Sequence, residues 1–150
     1  MAQPNPEYTS KLLHIINSSP FFKHMSMQLI SIEFDTTLIE LQASKSHLQP
    51  YGMVHGGVVA TLIDTATFWA AFMRISENAG MVNIDLKLNY LKSFQEGLLR
   101  ATGTTIRSGH SISYAEAKVM DAAGELIAHG TSTLMTLPGK GLHADVPKFI

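Results

Sequence analysis

The sequence predicts an α+β fold in which one antiparallel sheet packs on a single long helix. Three observations carry that expectation. Only Gly56 to about Ile75 holds a sustained helical period, with Val59, Leu62, Ile63, Ala66, Ala70 and Met73 at steps of three and four. Two strand-like runs precede this stretch and four follow it. One of the four, Ser111 to Met120, has a face of small residues, Ser113, Ala115, Ala117 and Val119, against which the long helix can pack closely.

Taken in order, Glu7 to Asn17 carries Tyr8, Leu12, Leu13, Ile15 and Ile16 on an amphipathic helical pattern that Ser18, Ser19 and Pro20 stop. Met27 to Glu33 and Thr37 to Ala43 are β-rich runs joined at Phe34, Asp35 and Thr36, which reads as a hairpin. Ser44 to Gly52 is polar and turn-rich. After the long helix, Val82, Ile84, Leu86, Leu88 and Tyr90 alternate with Asn83, Asp85, Lys87 and Asn89, the period of a half-buried strand. Leu98 to Arg107, Ser111 to Met120 and Glu125 to Thr136 supply three more strands, divided by turn signals at 108 to 110 and 121 to 124. The 150 residues fit one domain, with a helix over 7–17, a core over 21–137 and a poorly ordered tail over 138–150.

Composition narrows the function. A net charge of -1 gives no field that would gather nucleic acid or an anionic membrane, so neither is expected as a partner. The absence of cysteine excludes disulfides, thiolate nucleophiles and cysteine zinc sites. The first 20 residues lack the pattern of a signal peptide. The most apolar window, Val58 to Met73, is interrupted by Asp64 and three threonines, short of the roughly 20 apolar residues a membrane span needs. The expectation is a soluble, cytoplasmic protein. No GxxxxGK[ST] or strand-linked GxGxxG occurs, which argues against nucleotide hydrolysis and dinucleotide redox chemistry.

Asp64 stands in the middle of the apolar helix, which is an odd place for a carboxylate. The stretch GlyMetValHisGlyGly at 52–57, preceded by Gln49 and followed by Asp64, resembles the acyl-CoA thioesterases of the phenylacetate-degradation and 4-hydroxybenzoyl-CoA thioesterase II group. The resemblance spans about Phe21 to Leu137 and agrees in motif, spacing and strand order. It implies the hotdog fold, a curved antiparallel sheet wrapped around a central helix, and hydrolysis of an acyl- or aryl-CoA thioester to free acid and CoA. No cofactor is expected, because CoA is part of the substrate. No metal is expected either, because His55 and Asp64 lack a further ligand at i+4 spacing.

Thioester hydrolysis needs donors aimed at the carbonyl oxygen and a carboxylate that attacks or activates water. A helix N-terminus supplies such donors, and Gly56 and Gly57 leave its backbone unshielded. The same pair also suits a plain strand-to-helix turn. The resemblance makes Asp64 the nucleophile or general base and Gly57 N–H the oxyanion donor. His55 then supports the substrate carbonyl, and Gln49 orients carbonyl or water. A structural Asp64 held by hydrogen bonds, and a His55 that only orders the loop, are the alternatives. Asn83, on the polar face of its strand, stands where related enzymes carry Ser or Thr to position water. Phe68 replaces a small polar residue and makes the acyl pocket more apolar. The turn Arg107, Ser108, Gly109 and His110 suits a CoA phosphate, with Lys87 and Lys92 as further candidates.

Gly57 and Asp64 lie on one helical face about two turns, or ~10 Å, apart. Two antiparallel helices would bring one chain's Gly57 to the other's Asp64, so a homodimer with composite sites is expected, and the resemblance adds pairing into a homotetramer. Thioesters of acyl carrier protein are possible substrates too. The competing readings are a noncatalytic acyl-CoA-binding or sensing protein and an enoyl-thioester hydratase or dehydratase.

Overall fold

The computed structural model describes residues 2–150. Helix α1, Pro6–Asn17, begins where Asn5 accepts from the Glu7 N–H at 3.0 Å and proline occupies the first turn. A second helix, α2 at Pro20–Met25, follows at once and was not foreseen. The proline that stops one helix is equally suited to the first turn of the next. Strands β1, Met27–Ile32, and β2, Thr36–Ala43, form the expected hairpin, turned through Asp35 at a φ of 66°. A 3₁₀ turn at Lys45–His47 then leads to α3, Gly56–Phe72, the long helix.

Strands β3 (Ala79–Tyr90), β4 (Gly97–Ser108), β5 (Ile112–Asp121) and β6 (Leu126–Pro138) complete one six-stranded antiparallel sheet in the order β1-β2-β4-β5-β6-β3. The sheet wraps α3, whose Leu62, Ile63, Ala66 and Ala70 are fully buried. Ser113, Ala115, Ala117 and Val119 are buried on the facing side, as their size suggested. Two glycines allow the closest crossings. A Cβ on Gly103 would stand 2.6 Å from the Ala66 carbonyl carbon, and one on Gly130 would stand 2.8 Å from Ile63 Cγ2. Thr67 donates to Ser132 Oγ at 2.8 Å, so a threonine of the apolar helix ties α3 to β6.

Two expectations need correction. The alternation in β3 does not give one buried apolar face. Its register with β6 shifts between Asn83 and Asp85, so Ile84 forms a bulge. One extra residue reverses the facing: Val82 and Ile84 are 40% and 52% exposed, while Asn83 pairs opposite the buried Leu134 and turns toward the helix. The second correction concerns residues 138–150, which are packed rather than loose. Gly141 N–H donates to Asn78 O at 3.1 Å, Asn5 N–H donates to Lys148 O at 2.9 Å, and residues 3 and 150 exchange backbone bonds. Glycine and proline dominated the reading of this stretch, but Leu142, Ala144, Val146 and Phe149 pack on the core.

Lys148 is fully buried and donates to Phe72 O at 2.7 Å and Ile75 O at 2.9 Å, closing the C-terminal end of α3. Burial lowers its ammonium to about pKa 7, against a smaller opposing pull from Glu77. None of the described helices is long and apolar enough to cross a membrane.

Candidate active site

The chain entering α3 is bolted down on both sides. Val54 N–H donates to Phe94 O at 2.7 Å and His55 N–H to His47 O at 2.8 Å. His47 itself is a buried strut, with Nδ1 accepting from Ser44 N–H at 2.9 Å and Nε2 donating to Met25 O at 2.8 Å. His55 occupies the N-cap, where its Nδ1 accepts from Gly57 N–H at 2.7 Å. Because Nδ1 is the acceptor, the neutral ring carries its proton on Nε2, which becomes a donor. The expected oxyanion donor, Gly57 N–H, is therefore parked on the histidine. An arriving carbonyl oxygen has to share or take it.

Gln49 closes its own turn by accepting from Tyr51 N–H through Oε1. With Gly56 it lines a groove of about 390 Å³, together with Met53, Tyr90, Lys92 and Phe94. The sequence reading passed over Tyr90, whose hydroxyl donates to Gly56 O at 3.1 Å. In the sequence it reads as an apolar member of the β3 alternation. The only sequence signal was a phenol at the end of a strand.

Two turns further along α3, Asp64 is half-buried, and burial pushes its carboxyl above the ordinary value of 3.8. Among the described residues no side chain or backbone group donates to the carboxylate, and no cation pairs with it. A structural acid satisfied by hydrogen bonds within the chain is thus not what the fold contains. An unpaired, partly desolvated carboxylate is a costly group to keep, which makes Asp64 the candidate for the reacting group. Asn83 Nδ2 donates to the Asp64 carbonyl oxygen at 3.2 Å, so bulge and helix meet here. Phe68, half-buried one turn beyond Asp64, packs edge-on against Trp69 with ring centres 4.8 Å apart.

The basic turn lies elsewhere. Arg107, Ser108 and Gly109 share a hollow of about 400 Å³ with Asp35 and Arg74, and Gly109 and His110 face Ile75, Asn78 and Ala79. Within one chain this is the C-terminal end of α3. His55, Gly56 and Gly57 are a 17-residue helix away, or ~25 Å. Of the predicted site residues, one chain therefore gathers Gln49, His55, Gly56 and Gly57 at the helix start and Asp64, Phe68 and Asn83 at its middle, but not the basic turn. Among the described residues no group of three or more histidine or acidic side chains is arranged to hold a metal ion.

A helix N-terminus opened by two glycines, with a bare carboxylate farther along the same helix inside a wrapped sheet, defines a class of thioester-processing proteins with the hotdog fold. The model of the Thioesterase superfamily matches residues 51–128, and the chain belongs to that family. It is a thioester hydrolase. A 1,4-dihydroxy-2-naphthoyl-CoA hydrolase of Listeria monocytogenes is 27% identical over 110 residues, covering 73% of this chain and 89% of that protein. A thioesterase structure from Haemophilus influenzae superposes with a TM-score of 0.83 at 21% identity, covering 95% of this chain and 99% of that one. The E. coli PaaI protein of the phenylacetic acid degradation operon has a TM-score of 0.79 at 16% identity, covering 87% and 93%.

Proposed function

We propose that the thioester hydrolysed is an acyl- or aryl-CoA and that Asp64 is the general base or nucleophile. The observation that carries this is the unpaired, half-buried Asp64 carboxylate two turns along α3 from the Gly56–Gly57 start. In the base route, water attacks the carbonyl carbon while Asp64 takes its proton. Gly57 N–H and His55 Nε2–H meet the charge growing on the carbonyl oxygen. Collapse breaks the C–S bond, and the departing sulfur is protonated, releasing acid and CoA. In the nucleophile route, Asp64 attacks the carbonyl carbon and expels the CoA thiolate, forming an acyl anhydride; water opens it to the free acid and the restored Asp64 carboxylate, and the proton set free goes to the CoA sulfur. The Listeria relative is named for a CoA thioester with an aromatic acyl group, and Phe68, one helical turn from Asp64, offers an aromatic partner to an acyl group of that kind.

The site is composite across a homodimer in this reading. β3 is an edge of the sheet and presents Val82, Ile84 and Leu86 with substantial exposure, an edge suited to a second copy. Antiparallel pairing of two β3 edges would set two α3 helices side by side in opposite directions. One chain's basic turn, at the C-terminal end of α3, would then approach the partner's helix start, where CoA phosphates need cations. Pairing of dimers into a tetramer belongs to the same proposal.

Hydrolysis of a panel of short, long and aromatic acyl-CoAs, read as free CoA released by wild type and Asp64→Ala, tests it. Turnover by the wild type and its loss in a folded Asp64→Ala supports the reading. No turnover on any member, or equal turnover by both, overturns it.

A further inference from the structure

Tyr90 ends β3, and the tip of its ring reaches the start of α3. A Cβ on Gly56 would come to 3.0 Å from both Tyr90 Cζ and its hydroxyl, so the glycine lets the ring sit close, and a side chain there would push it outward. The hydroxyl donates to Gly56 O at 3.1 Å. That carbonyl and the Gly57 N–H are two ends of one rigid peptide unit, because the C–N bond between them does not rotate freely. On the far end, the same N–H donates to His55 Nδ1 at 2.7 Å. Tyr90 O–H, the Gly56–Gly57 peptide and the His55 ring thus form a continuous line of hydrogen bonds.

We propose that Tyr90 is a positioning residue of the hydrolysis, holding and polarising the Gly56–Gly57 peptide whose N–H serves the oxyanion and sets the proton position on His55. The inference rests on the assignment of that N–H to the reacting carbonyl. Two effects follow from the geometry. Fixing the carbonyl direction fixes the N–H direction, which oxyanion stabilisation depends on. Drawing electron density toward the carbonyl oxygen makes the N–H a stronger donor, as in any chain of hydrogen bonds through an amide. The backbone bonds of Val54 and His55 anchor the preceding loop, and Gly56 O, at the first residue of α3, also faces the helical N–H four residues on, so Tyr90 adds a side-chain donor to a carbonyl the helix already directs. When substrate arrives and the N–H passes from His55 to the carbonyl oxygen, the Tyr90 bond is on the opposite end and is kept.

Tyr90→Phe keeps the ring on Gly56 and removes only the donor. The expected result is a fall in kcat of about three- to tenfold, the worth of one ordinary hydrogen bond, with KM unchanged within about twofold. In the ligand-free protein, nitrogen and proton NMR should show the Gly57 amide moving to the position of a weaker donor and the His55 Nδ1 resonance losing part of its acceptor shift. An unchanged kcat, a change in KM alone, or Gly57 and His55 resonances that do not move would each overturn the proposal. The resonances are read without substrate, so they test Tyr90 even if the acyl-CoA panel shows no turnover.

Discussion

The side-chain amide of Asn83 donates to the backbone carbonyl of Asp64 at 3.2 Å, and it reaches that oxygen because Ile84 bulges out of the β3–β6 ladder. A strand residue predicted on the polar face therefore braces the helix at the residue that carries its one carboxylate, Asp64. Asn83→Ala should cost about 0.5–1.5 kcal/mol of stability, the net worth of such a bond, with a further loss of turnover as Asp64 loses its brace. Urea unfolding and steady-state kinetics measure the two, and a variant with wild-type stability and rate would refute the role.

Asp64 is expected to trade stability for reactivity. Its pKa is raised in the folded chain, so the native state holds this proton more tightly than the unfolded state does. As pH rises from the ordinary value of 3.8 through the raised one, the folded chain loses stability. Asp64→Asn should therefore be more stable than wild type near neutral pH, by about 0.5–2 kcal/mol, with the advantage shrinking as pH falls toward the ordinary value. The same substitution should cut turnover by at least about 100-fold. Melting curves across pH and a CoA-release assay check both, and a destabilised Asp64→Asn at neutral pH would contradict the account.

The acid side of the rate profile follows from the same carboxylate. Base or nucleophile must be ionised, so kcat should fall as pH drops through the raised Asp64 pKa, at a midpoint above the ordinary 3.8. A midpoint at or below that value would mean that burial does not control the reacting group.

Lys148 should give the fold a distinctive alkaline response. Its folded pKa of about 7 lies below the unfolded value near 10.4, so between those limits the unfolded chain binds the extra proton. Stability contributed at this site should rise with pH across that window, by up to about 1.4 kcal/mol per pH unit. Below about pH 7 both states are protonated and the slope vanishes. Lys148→Met lacks the slope, and unfolding free energies of the two proteins should diverge from about pH 7 to about pH 10. A constant difference between them would count against the buried ammonium.

Gly103 is the tightest crossing of helix and sheet. Gly103→Ala would drive a methyl group into the Ala66 carbonyl, contact with backbone that no rotamer change relieves. A loss of about 3 kcal/mol, at the upper end for overpacking, should appear in thermal melting. A melting temperature close to wild type would show that α3 can lift off β4 at little cost.

Ile84 tests the edge. Ile84→Lys places a charge on the apolar outer side of β3, where it is 52% exposed in one chain. The expected result is a monomer by light scattering, with turnover lost although the chain still melts cooperatively. A wild type that is itself monomeric and active would remove the composite site.

Local chemistry was enough for the long helix, for the hairpin and for the strands after it. Period, turn residues and small-residue faces report directly on which side chains must leave water. Gln49, His55, Gly56, Gly57 and Asp64 stood out through their resemblance to a family motif rather than through periodicity. What the sequence alone determined was thus the helix, its glycine-opened start and the acid it carries. The tertiary structure decided the rest: the bulge that turns Asn83 inward, the docking of residues 138–150, the distance of the Arg107 turn from the helix start, and the contact of Tyr90 with Gly56. Three of these depend on partners apart in the chain, Asn83 on Asp64, Lys148 on Phe72 and Tyr90 on Gly56, and the fourth on where the sheet carries the Arg107 turn relative to α3. Periodicity describes a residue's own element, and it is silent on which carbonyl another element will bring within reach.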